Sequence, residues 1–163
     1  NTIAVVYVTG NELLEALEAS TFNTPGAIGG YPQTTGIEWT LDTTVPYEQG
    51  SLYVQDGKET TYYAPASIAR VTITAINGKE FDPEAVYAVV TNNFCAVGGD
   101  TYGAFYRAYS EGNTFDTNIP MDEAVVEYIT EVLNGSITAE QYGEPSGRET
   151  QIRVEEAEAE PAA

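Results

Sequence analysis

Apolar positions along this chain change period several times, and each change predicts a new element. Residues 3–8 (IAVVYV) form a β-branched run that predicts a strand. In the next segment Leu13, Leu14 and Leu17 share one helical face, while Glu12, Glu15 and Glu18 fall largely on the other. Thr9 and Glu12 have capping-box spacing, which starts that helix beside Gly10. Residues 23–36 are loop by their Gly, Pro and Thr content, and Ile37, Trp39 and Leu41 then alternate with polar residues as in a strand with one buried face. Residues 52–63 (LYVQDGKETTYY) predict a small hairpin turning at Asp56-Gly57. Its simplest expectation is a surface excursion, Tyr47–Ser67, that packs its own tyrosines; a flap beside a ligand cleft is the alternative.

Residues 70–81 (RVTITAINGKEF) predict a further strand and an Asn77-Gly78 turn, and residues 85–92 (AVYAVVTN) an apolar strand in a central position. A short helix is expected over 102–109. An amphipathic helix is expected over 122–133, through Val125, Tyr128, Ile129, Val132 and Leu133. Residues 150–154 (TQIRV) read as a closing strand. No internal repeat is visible. Strands in hairpins mixed with a few helices predict an α+β fold, a mixed β-sheet with flanking helices in one domain over residues 1–154. Residues 155–163 (EEAEAEPAA) follow as an acidic, linker-like tail.

Charge narrows the functional classes. Twenty-five acidic residues oppose six basic ones in 163, for a net charge of −19. The tail glutamates account for only a small part, so the body is itself acidic. Such a surface disfavours nucleic acid and anionic membranes as partners, and no apolar run approaches the ~20 residues of a membrane span. The chain has no histidine and one cysteine, Cys95. Neither a Ser-His-Asp nor a Cys-His pair can be built, and no His-containing or Cys-rich zinc site is available. No EF-hand spacing occurs, and both Gly-Lys pairs are followed by Glu, which excludes a Walker A loop.

Attention therefore falls on residues 92–100 (NNFCAVGGD), where one aromatic, two glycines and a carboxylate follow the apolar strand. Glycines permit positive φ and a close approach by a ligand. An Asp there can cap its own turn, or it can accept two hydrogen bonds from a vicinal diol. Phe94 can be core, or a platform on which a planar base stacks. The residues alone leave both readings open. Cys95 reads as a small buried hydrophobe.

Residues 77–105 (NGKEFDPEAVYAVVTNNFCAVGGDTYGAF) closely resemble the C-terminal domain of the 5'-nucleotidase family, with its NGK-like turn and its TNDFLA-GGDGY block. Residues 8–20 (VTGNELLEALEAS), 29–42 (GGYPQTTGIEWTLD) and 122–132 (DEAVVEYITEV) are similar to further family segments in the same order. The resemblance implies a nucleoside-binding domain that follows a metal-dependent phosphoesterase domain. It places Phe94 as one of two rings stacking the base and Asp100 on the ribose hydroxyls. Gly98 and Gly99 form the turn between them, and Gly30 belongs to the same binding set.

The second ring, the phosphate-binding arginines and the metal pair belong, in the family, to positions before Asn1. The resemblance thus implies no catalytic residue and no cofactor in this domain, with a divalent metal pair in an N-terminal phosphoesterase domain of the same parent chain. It further implies a nucleotide or nucleoside as ligand and an extracellular, cell-surface or periplasmic location. Thr101 replaces the family's glycine after Asp100 and is expected to restrict the turn. The Tyr47–Ser67 excursion is longer than the family norm. Other phosphoesterases of the superfamily (UDP-sugar hydrolase, cyclic-nucleotide phosphodiesterase) share these blocks. The other function class is a non-catalytic binding or surface-interaction module that keeps the fold.

Overall fold

Strand β1 (Thr2–Thr9) turns its alternate residues Ala4, Val6 and Val8 inward, each at most 1% exposed. The computed structural model describes residues 1–147 and 149–153, so the acidic tail over 155–163 and Val154 of the expected closing strand lie outside the described residues. Helix α1 (Gly10–Ser20) follows at once and starts as its sequence predicts. The Thr9 hydroxyl accepts from the Glu12 N–H at 3.2 Å, and the Glu12 carboxylate accepts from the Thr9 N–H at 2.8 Å. Leu13, Ala16 and Leu17 pack into the core.

Glu18 departs from the expected polar face of α1. It is 1% exposed. It follows Leu14 by one helical turn, on the flank of the apolar stripe, where α1 meets the strand that begins at Val71. There Glu18 Oε2 accepts backbone N–H groups from Arg70 at 3.0 Å and Val71 at 2.9 Å. The buried Arg70 guanidinium in turn donates to the carbonyls of Thr21 at 2.9 Å and Thr24 at 2.7 Å. Glu12 and Glu15 stay at the surface and pair with Arg107.

Next come β2 (Ile37–Asp42), β3 (Gln49–Gln55), β4 (Lys58–Pro65), β5 (Val71–Ile76), β6 (Lys79–Glu80) and β7 (Val86–Asn92). Trp39 and Leu41 of β2 face the core as their alternation requires, and the β5–β6 turn is made by left-handed Asn77 and Gly78. Helices α2 (Asn93–Ala96) and α3 (Gly103–Ser110), strand β8 (Thr114–Pro120) and helix α4 (Met121–Glu127) come after. A π-helical turn (Tyr128–Val132), α5 (Ala139–Tyr142) and β9 (Glu149–Ile152) complete the described chain.

The strands form an antiparallel sheet β7-β1-β8, a mixed sheet β6-β5-β2-β9 in which β9 runs parallel to β2, and the separate hairpin β3-β4. The core lies where β1, β2 and β5 meet α1 and α3. This is the expected α+β class with mixed sheets and flanking helices.

Three expectations need correction. Strand β7 is at an edge of its sheet, not at its centre: among described strands it pairs with β1 alone. Its Val86 and Val90 are 65% and 66% exposed, because they border an open cleft instead of a second strand. Strand β8 escaped the sequence reading, since TFDTNIP carries little apolar alternation; it is held by backbone pairing such as Val5 with Phe115. The expected amphipathic helix forms as α4 and the π turn, but none of its residues is buried.

Hairpin β3-β4 turns at Asp56 (φ 50°) and Gly57 (φ 72°), as NG- and DG-type turns do. It does not simply pack its own tyrosines. Tyr53 is 8% exposed and lies against Gly103 at the start of α3. A Cβ on Gly103 would stand 2.3 Å from the Tyr53 ring. Gly103→Ala is therefore expected to undock the hairpin at a cost of about 1–3 kcal/mol. A lower melting temperature, with faster amide exchange concentrated in residues 49–65, would show it; an unchanged exchange pattern there would refute it.

Candidate functional site

The end of β7 delivers the chain into a tight succession of caps. Asn92 Oδ1 accepts from the Cys95 N–H at 2.8 Å and opens α2, which lifts Phe94 to the surface with 47% of the residue exposed. Cys95 points inward; burial pushes its thiol up, so it is a poor nucleophile. The N–H groups of Gly98 and Gly99 then close on the carbonyls of Cys95 and Phe94, both at 2.9 Å.

The two glycines are needed for different reasons. Gly98 has φ 87°, and a Cβ there would meet Gln55 Nε2 at 2.6 Å. Gly99 has an ordinary backbone, but its Cβ would stand 2.6 Å from Phe94 Cε2. Only a residue without a side chain leaves room for that ring. Asp100 follows with φ 50°, a left-handed conformation that aspartate tolerates better than most residues. Thr101, expected to restrict the turn, has no positive φ and packs inward at 3% exposed. The strained position is Asp100.

Loop 21–36 comes to the same place. Tyr102 donates its hydroxyl to the Gly30 carbonyl at 2.8 Å. A methyl group at Gly30 would lie 3.7 Å from Asp100 Oδ2. Gly30, Phe94 and Asp100 thus line one cleft of about 1010 Å³, together with Tyr31, Thr34, Asn92 and Tyr102. Gly98 and Gly99 shape the loop without lining the cleft. Among the described residues, Asp100 is the only charged side chain in the lining. The described arginines are engaged elsewhere: Arg70 on buried carbonyls, Arg107 on Glu12 and Glu15, Arg153 on Gln151. An exposed ring beside a carboxylate suits a ligand that has a planar end and a hydroxyl-bearing end. Among the described residues no three His, Cys, Asp or Glu side chains converge as metal ligands.

The residues that the sequence reading missed come from the hairpin. Tyr62 donates to Asp100 Oδ1 at 3.2 Å, and Gln55 Nε2 donates to the Gly98 carbonyl at 2.7 Å. The Tyr106 hydroxyl accepts from the Asp56 N–H at 2.9 Å and donates to Asp56 Oδ1 at 2.8 Å. Partial burial, then the facing Asp100 carboxylate, raise the Tyr62 phenol above its ordinary range. The paired tyrosines of the excursion were the available signal.

The sequence model of the 5'-nucleotidase C-terminal domain matches residues 1–107. The trifunctional nucleotide phosphoesterase protein YfkN of Bacillus subtilis (strain 168) is 32% identical over 110 residues, which are 66% of this chain and 6% of YfkN. Among solved structures, the 5'-nucleotidase precursor of Thermus thermophilus superposes with a TM-score of 0.68 at 26% identity, over 94% of this chain and 26% of that one. A putative 5'-nucleotidase from Staphylococcus aureus, solved with alpha-ketoglutarate, shares the fold: TM-score 0.55 at 20% identity, over 80% of this chain and 24% of that one. The chain thus spans about a quarter of these solved relatives and far less of YfkN. With about two thirds of its length matched by the family's sequence model, this chain belongs to the 5'-nucleotidase family, as a C-terminal domain.

Proposed function

We propose that this chain is the substrate-binding domain of a nucleotide phosphoesterase and holds its ligand by the nucleoside portion. Phe94 stacks the base, and Asp100 accepts hydrogen bonds from the ribose hydroxyls. Gly30 lets the sugar approach, while Gly98 and Gly99 hold ring and carboxylate in register. The observation that carries this reading is that Phe94 and Asp100 line one cleft in which no other described side chain is charged. Family membership and the phosphoesterase named among the relatives support it.

Hydrolysis is assigned to a metal-bearing N-terminal domain of a parent protein, where a metal pair would activate water for attack on phosphorus. The C-terminal domain contributes position, keeping the ester where that attack is possible. By the same family resemblance we place the parent outside the cytoplasm.

Adenosine titrated into the 163-residue chain, followed by NMR, tests the reading. Shifts should centre on Phe94, Asp100 and Gly30. Phe94→Ala should weaken binding by roughly 5- to 150-fold, which corresponds to the ~1–3 kcal/mol that a base–ring stack contributes. Shifts confined to residues remote from these three, unaffected by Phe94→Ala, would reject it.

A further inference from the structure

We infer that Tyr62, carried in by hairpin β3-β4, is a positioning residue of this site, fixing the Asp100 carboxylate so that two adjacent hydroxyls are read together. The inference rests on the nucleoside reading above and adds a residue and a selectivity to it.

Tyr62 OH, at 3.2 Å from Oδ1, is the one hydrogen-bond donor that the described residues bring to the Asp100 carboxylate. Without it that carboxylate would sit on a left-handed backbone, free to rotate about its own side-chain bonds. Tyr62 is in turn held in place. Its N–H donates to Thr60 Oγ1 at 3.3 Å, and the Thr60 hydroxyl donates back to the Tyr62 carbonyl at 3.2 Å. The hairpin is tied to the loop on both sides of Asp100: Gln55 to Gly98 before it, then Asp56 to Tyr106 and Tyr53 against Gly103 after it. The phenol therefore arrives from a fixed direction.

That direction matters because Asp100 lines the cleft and Tyr62 does not. The phenol holds Oδ1 from behind, and Oδ2 is left beside Gly30. A carboxylate oxygen offers two acceptor positions, so Oδ1 can take a ligand hydroxyl as well as the phenol. A vicinal diol engages both oxygens and needs the carboxylate in one orientation. A single hydroxyl can follow the carboxylate wherever it turns. Tyr62 thus favours ligands with both hydroxyls over ligands with one.

The test measures binding of adenosine and of 2'-deoxyadenosine to the unmutated chain and to Tyr62→Phe, which keeps the ring and removes the donor. Adenosine should weaken about tenfold or more, the scale of a lost hydrogen bond to a charged group. 2'-Deoxyadenosine should change less than about twofold on the same scale, so the preference for the ribonucleoside narrows. Equal losses for both ligands would reduce Tyr62 to a structural prop and overturn the inference. Unchanged or tighter adenosine binding would overturn it as well.

The nucleoside reading and the role of Tyr62 fail differently. If adenosine leaves the unmutated chain unperturbed, the nucleoside reading falls and the diol selectivity with it. If adenosine binds at Phe94 but Tyr62→Phe keeps the full ribonucleoside preference, only the role of Tyr62 falls. Should Tyr62→Phe not fold, the Tyr62 ring resonances of the unmutated chain decide. Adenosine should shift them strongly and 2'-deoxyadenosine weakly, and equal shifts would overturn the inference.

Discussion

Glu18→Ala is expected to lower the melting temperature by roughly 6–20 °C, a loss set by the cost of a broken buried polar network and the size of the domain. One Glu18 oxygen accepts two backbone N–H groups, those of Arg70 and Val71, in a place without access to water. Truncation leaves both donors buried and unpaired. It also removes a buried negative charge beside the residue that carries the buried guanidinium, and that guanidinium is held by the carbonyls of Thr21 and Thr24. Breaking such a network costs about 3–5 kcal/mol, and for a domain of this size each kcal/mol lowers the midpoint by roughly 2–4 °C. Glu18→Gln keeps an acceptor oxygen and should lose clearly less. Thermal unfolding followed by circular dichroism separates the two. A Glu18→Ala loss below about 1 kcal/mol would mean that the network is solvated in practice and not buried.

Gly99→Ala should weaken adenosine binding about as much as Phe94→Ala. Its backbone angles suit alanine, so any effect must come from the new methyl group. That methyl would stand 2.6 Å from Phe94 Cε2 and equally close to the Phe94 carbonyl oxygen, to which the Gly99 N–H is bonded. The ring cannot stay where it is, and overpacking of this kind costs about 1–3 kcal/mol. About half of the Phe94 surface is in solvent, so the ring can swing out of the cleft, while the clash with the carbonyl must be taken up by the loop itself. Binding and loop stability should therefore both suffer. Tight adenosine binding by Gly99→Ala would show that Phe94 does not work from this orientation.

Local chemistry in the sequence reached the elements whose partners lie close in the chain. The Thr9/Glu12 cap, the alternation of Ile37, Trp39 and Leu41, and the left-handed turns at Asp56-Gly57 and Asn77-Gly78 are all set by neighbouring residues, and all form as read. What failed was decided at long range. The apolar composition of β7 cannot distinguish a second strand beside it from an open cleft, since both reward Val and Tyr. Glu18 looked solvent-facing because its partners, the N–H groups of Arg70 and Val71, are backbone atoms far along the chain. At the candidate site, Phe94, Gly98, Gly99 and Asp100 were legible as one contiguous block, and Gly30 through resemblance. Tyr62 was not, because nothing in residues 52–63 reveals which loop the hairpin closes on.

Trp39 is the only tryptophan in the chain. It is 2% exposed, and its indole N–H donates to Thr34 Oγ1 at 3.0 Å, while Thr34 lines the cleft that Phe94 and Asp100 share. The protein therefore carries a single indole fluorophore coupled through one hydrogen bond to a wall of its candidate site. Emission from the unmodified chain, excited where tyrosine does not absorb, should report directly on movements of loop 21–36 as a ligand enters, without an added label.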